Sequence, residues 1–348
     1  MLGRSALLAA TNSKGLPGFG VKYTDPSTLP TGGGFGVAFS PAGDALAVVH
    51  NNSPFVTAYP WSGSGFGTKY TNPATLPASS GRGVAFSPAG DAIAVAHGGS
   101  PFITAYPWSG SGFGTKYTNP ATLPASQCQA VAFNPAGNVI AVTDNTSPYI
   151  GAYAWSASGF GAKYSNPATA PTGLPVGKAV AFSPAGNAIA VGHITTPFIT
   201  AYPWSVLGFG TKYTNPSTLP AGDVRGGVAF NPAGDAIAVG HNNSPFITAY
   251  PWSVLGFGTK YTNPSTLLPD NAQGGVAFSP AGDAIAVGHN TTPFISAYSW
   301  SASGFGAKYT NPTTLPTSGA TGLAISPAGN AIAVANGITP YITAYPFA

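Results

Sequence analysis

The chain has 348 residues, a formal net charge of +4, 44% apolar residues and 6% charged ones. Its 47 Gly and 35 Pro mark a turn-rich chain, and so much apolar content with so little charge excludes intrinsic disorder. The lone cysteine, Cys128, excludes an internal disulfide framework, and the absence of Glu limits acid–base chemistry. No apolar run approaches the roughly 18 residues of a transmembrane helix. Ala6–Ala10, after Arg4, is too short for the apolar region of a secretory signal. The expectation is therefore a chain that is neither secreted nor inserted in a membrane.

Residues 1–17 read as a lead-in, and an internal period begins beyond them. The tripeptide Pro-Ala-Gly starts at Pro41, Pro88, Pro135, Pro184, Pro232, Pro280 and Pro327, at intervals of 47, 47, 49, 48, 48 and 47 residues. Each unit reads as four short strands. In the second unit these are Gly83–Ser87, Ala92–His97 after a tight turn, Phe102–Tyr106 after a loop with a proline, and Gly112–Tyr117 after Pro107-Trp108-Ser109. A longer Pro-rich loop leads to the next unit. Short alternating strands at this period predict an all-β, seven-bladed β-propeller with four-stranded blades.

Along the second strand Ile93, Val95 and His97 fall on one face, and Ala92, Ala94 and Ala96 on the other. One face of each blade is bulky and the other nearly flat, so the bulky face of one seats on the alanine face of the next. The chain ends after the third strand of its last unit. The fourth is found at the other end: GFGVKY at Gly18–Tyr23 matches GFGTKY at Gly65–Tyr70. Residues 18–30 are expected to supply the outer strand of the last blade, which closes a single domain spanning 18–348.

Units of the form VAFSPAGDAIAVAH, followed by SPFITAY, resemble WD40-like propeller repeats of the type found in bacterial and phage-encoded proteins. The resemblance implies virion or surface proteins that bind or assemble and are not enzymes. The Trp-Asp dipeptide of eukaryotic WD40 repeats is absent, so the usual hydrogen-bond tetrad is not implied.

Several residues recur at fixed positions. His50, His97, His193, His241 and His289 occupy one position, with Asp144 and Asn336 in the other two units. Neighbouring copies are expected about 10 Å apart from the strand spacing and a central channel, too far to share a zinc ion at about 2.1 Å from each nitrogen. Neutral imidazoles with local hydrogen bonds are expected, and no metal. Lys22, Lys69, Lys116, Lys163, Lys212, Lys260 and Lys308 ring the outer strands, where lysine blocks edge-to-edge pairing. A ring spread around the perimeter is not the concentrated stripe of a nucleic-acid surface. Trp61, Trp108, Trp155, Trp204, Trp252 and Trp300 share one position, with Phe347 in the seventh. They either pack within the blades or stack on sugars, which would make a multivalent lectin.

The units differ mainly in the loop before each first strand. There stand Arg82, Gln127, Gln129, Lys178, Asp223, Arg225 and Asp270, all on one face around the channel mouth. Recognition usually resides on such loops, although drift in tolerant loops gives a similar pattern. The leading expectation is a non-enzymatic assembly or decoration protein, virion-associated as the resemblance implies, that contacts other protein subunits through these residues without a cofactor. The alternative is binding of surface glycans. An enzyme at the mouth would need Asp223 or Asp270 as its acid or base.

Overall fold

The computed structural model describes residues 18–172 and 179–348; the predicted lead-in 1–17 lies outside them. Seven antiparallel sheets follow one another along the chain, each with its strands in sequence order. They form a seven-bladed β-propeller, and none of the described residues is helical. In the second blade the strands are Gly81–Phe86, Ala92–His97, Ile103–Ser109 and Gly112–Phe113, from the axis outward.

The turn between the first two strands is built by side chains. Ser40 Oγ accepts the Asp44 and Ala45 N–H groups at 3.1 and 2.9 Å and donates to Asp44 Oδ1 at 2.6 Å. Gly43, at φ +71°, supplies the left-handed residue. Where Asn replaces Ser, Asn231 does the same work, accepting from Asp235 and Ala236 and donating to Asp235 Oδ1.

The outer strands differ in length for a reason visible in the third strand. Four blades carry Pro60, Pro107, Pro203 or Pro251 in it, and their outer strands are two residues long. Where Ala154 or Ser299 stands instead, the outer strand runs Gly159–Lys163 or Gly304–Lys308. Proline brings no N–H to the ladder, so pairing breaks off beside it. It resumes at one bond, Tyr117 N–H to Ala105 O at 2.9 Å in the second blade.

The blade interfaces follow the predicted alternation. Ala92, Ala94 and Ala96 of the second blade pack against Val131, Ile140 and Val142 of the third. Each of the seven junctions has such a cluster, including the closing one, where Ala331, Ala333 and Ala335 meet Val37, Leu46 and Val48. The last sheet has three strands, and the ring closes through the N-terminal segment, which forms not the full predicted strand but an isolated antiparallel bridge, Phe19 to Phe347. Gly18 and Ala348 exchange backbone hydrogen bonds at 2.7 and 3.1 Å, and Gly20 and Tyr23 donate to Pro346 and Ala344 at 2.8 and 2.9 Å.

Candidate functional site

The recurring residues are consumed by the scaffold. Each histidine is buried, and its Nε2 meets a hydroxyl on the adjacent strand: Thr57, Thr104, Thr200, Thr248 or Ser296, at 2.8–3.0 Å. Burial lowers all five imidazoles to about 4, so they are neutral at physiological pH. Asp144, at the same position, accepts the Ala125 and Thr146 N–H groups at 3.2 and 3.0 Å, and burial raises its pKa.

The six tryptophans are 6–7% exposed. Trp108 makes edge contacts with Phe86, Phe113 and Tyr70, at ring-centre distances of 5.0–5.2 Å. The same three-ring cage recurs at each tryptophan, so no ring face is open for a sugar. The lysines, expected to guard a free edge, are tied locally. Lys69, Lys116, Lys212, Lys260 and Lys308 donate to Asn72, Asn119, Asn215, Asn263 and Asn311, three residues on. Lys22 pairs with Asp25 at 2.7 Å in the same geometry. The Asn/Asp exchange there keeps an oxygen that receives the ammonium group.

What remains unrepeated gathers at the axis. The inner strand reads Gly-x-Gly-Val-Ala-Phe in the first two units, and aligning the others on the Val-Ala-Phe core puts Phe35, Arg82, Gln129, Lys178, Gly226, Gly274 and Thr321 at x. Apart from Lys178, which lies outside the described residues, and Gly274, all of these line one cavity at the channel mouth. Its volume is about 210 Å³, and Arg225, Gln273 and the flanking Gly, Ala and Val residues complete it.

Arg82 and Gln129 were expected on loops; they sit within the strands Gly81–Phe86 and Cys128–Phe133. A bulge extends these strands, so that Gly81 pairs with His97 and Cys128 with Asp144. The bulge re-aims the residue after it, here Arg82 or Gln129, toward the mouth. Arg82 Nη1 donates to Gln129 Oε1 at 3.3 Å and Nη2 to Gln127 Oε1 at 3.1 Å, while Gln129 Nε2 donates to Asn145 at 3.1 Å. These three predicted residues thus form one network across the second and third blades. Arg225 pairs with Asp223 Oδ2 at 3.0 Å and also lines the cavity. Asp270 stands apart from it, its Oδ1 accepting the Asn271 N–H at 2.7 Å.

Two of the variable positions are glycine for steric reasons. A Cβ at Gly226 would lie 1.3 Å from Ala272 O, and one at Gly274 would lie 2.4 Å from Ala320 Cβ. In these blades the inner strand shrinks to Val228–Phe230 and Val276–Phe278. The incoming loop is tied both to its own blade, Gly226 and Gly274 donating to Gly240 O and Gly288 O at 3.3 and 3.0 Å, and to the preceding one, Val224 and Ala272 donating to His193 O and His241 O at 3.1 Å.

The opposite face carries a feature that sequence reasoning passed over. The turns Val206-Leu207 and Val254-Leu255 are 76–87% exposed on adjacent blades, where the corresponding turns hold Gly63-Ser64, Gly110-Ser111, Ala157-Ser158 and Ala302-Ser303. The contrast was present in the sequence, in units otherwise nearly identical.

No protein-family model matches the chain, and no curated protein matches it. Among solved structures 1369 chains match. One is Kuenenia stuttgartiensis hydrazine synthase, similar over 93% of this chain and 97% of that chain, with 15% identity and a TM-score of 0.67. A likeness so broad and so low in identity shows the propeller fold alone.

Proposed function

We propose that this propeller is a non-enzymatic binding scaffold that engages other protein subunits through its channel-mouth face. The observation that carries the reading is the distribution of variation. Seven nearly identical blades differ most at the one inner-strand position that rings the axis, where Arg82, Gln129 and Thr321 stand beside Arg225. A rigid frame that varies chiefly at its mouth is the arrangement expected of a recognition surface.

The carboxylates support the absence of catalysis. All eight are engaged in local bonds: Asp44, Asp91, Asp235 and Asp283 in turns, Asp25 with Lys22, Asp144 and Asp270 with backbone N–H groups, and Asp223 with Arg225. None is left as a poised acid or base. A virion-associated role with assembly in the host cytoplasm is part of the same proposal and rests on the resemblance of the repeats to bacterial and phage-encoded propellers alone. Glycan binding would have to use the polar mouth, because the tryptophans are caged.

The test is solution mass by light scattering, joined to immunodetection of the chain in purified particles from its native source. Self-assembly or particle association is the expected result. A strict monomer absent from every particle would overturn the reading, and a sugar-competable hit on a glycan array would replace it with the alternative.

A further inference from the structure

We propose that the channel mouth is a carboxylate-binding site in which Arg82 is the principal anchor. The inference deepens the scaffold reading and rests on it for the setting, since it names the chemistry that a partner presents to the mouth.

Among the described residues that line the cavity, the charged side chains are two arginines, Arg82 and Arg225. Arg225 is neutralised by Asp223 at 3.0 Å. Arg82 has no carboxylate within salt-bridge distance among the described residues; its two acceptors are the neutral side-chain amides of Gln127 and Gln129. A guanidinium has five N–H donors, and two are used here. Nε is buried without a partner, in the direction of Gly98. That leaves one hydrogen each on Nη1 and Nη2 with which the guanidinium can donate to a carboxylate.

The surroundings favour an anion over water. The cavity walls are mostly Gly, Ala, Val and Leu, with Gln129, Gln273 and Thr321 as the other polar side chains, and Thr321 is already bonded to Gly34 O at 2.6 Å. An unneutralised cationic group recessed in a cavity concentrates positive potential at the mouth. The acids of this face do not cancel it: Asp223 is paired with Arg225, Asp144 is held by backbone N–H groups, and neither it nor Asp270 lines the cavity. Gln127 and Gln129 orient the guanidinium without neutralising it. Glutamine in place of glutamate at these positions leaves the positive charge of Arg82 uncompensated.

The volume of about 210 Å³ sets the size of what enters. An acidic side chain, a chain terminus or a small free carboxylate fits; a folded segment does not. The shared chemistry is the carboxylate, and two probes separate its sources: citrate, and an acetylated peptide ending in Asp-Glu with a free C-terminus.

Isothermal titration at low ionic strength is the test, with the amidated, Asn-Gln peptide as control. Binding of at least one carboxylate probe is expected, weakened about ten- to a hundredfold by Arg82→Gln and weakened by added salt. Arg82→Lys, which keeps the charge and loses the guanidinium, is expected to fall between. Binding by the peptide alone identifies a protein-borne group, and binding by citrate alone a free metabolite; either supports the site. Equal affinity of wild type and R82Q, equal binding of the neutral peptide, or no binding by either probe would overturn it. Should R82Q fail to fold, a crystal of the wild type soaked in citrate decides: density against Arg82 supports the site, and an empty mouth overturns it. If assembly persists while both probes fail, the scaffold reading stands and the carboxylate site alone falls.

Discussion

The contacts between blades and the mouth of the channel obey different rules. Between blades, every junction repeats the same alanine-on-aliphatic packing, and the same histidine–hydroxyl bond recurs behind it in five of them. At the mouth, equivalent positions carry Phe35, Arg82, Gln129, Gly226, Gly274 and Thr321. The difference teaches that the ring needs uniformity where blades touch and tolerates individuality where they surround the axis. Gly226 and Gly274 mark the limit of that tolerance, since the neighbouring loop leaves no room for a Cβ.

The strongest challenge to the uniform region is a core truncation. Ile93 is fully buried, and Ile93→Ala is expected to lose about 2–5 kcal/mol in urea unfolding. Ile237→Ala, at the same position three blades on, should lose a similar amount, and a large mismatch would break the equivalence of the junctions. Next comes Gly226→Ala, whose Cβ would overlap Ala272 O. It is expected to lose about 1–3 kcal/mol, whereas Thr321→Ala, at the matching position, should lose only about 1 kcal/mol with its single hydrogen bond.

The histidines give the uniform region a pH signature. Their folded values, about 4, lie below the unfolded 6.5. Their contribution is therefore complete above pH 6.5 and lost as pH falls toward 4, because the unfolded chain takes up the proton first. Each adds a slope of at most about 1.4 kcal/mol per pH unit in that window. His97→Asn, the residue already found at Asn336, should flatten the pH dependence of the melting temperature between pH 6.5 and 4. The smallest effect belongs to the exposed turns: Leu207→Ser with Leu255→Ser should change stability by less than about 0.5 kcal/mol each.

How much of this was readable follows from the period. Seven Pro-Ala-Gly turns, the Ile-Val/Ala alternation and the displaced Gly18–Tyr23 strand sufficed for the propeller and its closure, because a period-two pattern decides which face is buried. Trp108 and its equivalents left packing and sugar stacking open, and the three-ring cages settle it for packing. The partner of each bonded lysine lies three residues ahead across a turn, a relation that strand periodicity does not express. Arg82, Gln127, Gln129, Asp223 and Arg225 stood out in the sequence by their failure to repeat, and of these Arg82, Gln129 and Arg225 line the cavity. That Arg82 stands on a strand depends on a bulge opposite His97, which no residue of the unit announces.

The most direct measurement pairs two variants of the second blade in two assays, urea unfolding and citrate or acidic-peptide titration. The account predicts that Ile93→Ala loses stability and keeps carboxylate binding under conditions where it is folded, while Arg82→Gln keeps stability within about 1 kcal/mol and loses binding. It would be contradicted if Arg82→Gln destabilised the ring as much as Ile93→Ala while binding was unchanged, for the arginine would then be a staple between two blades and the mouth no recognition site.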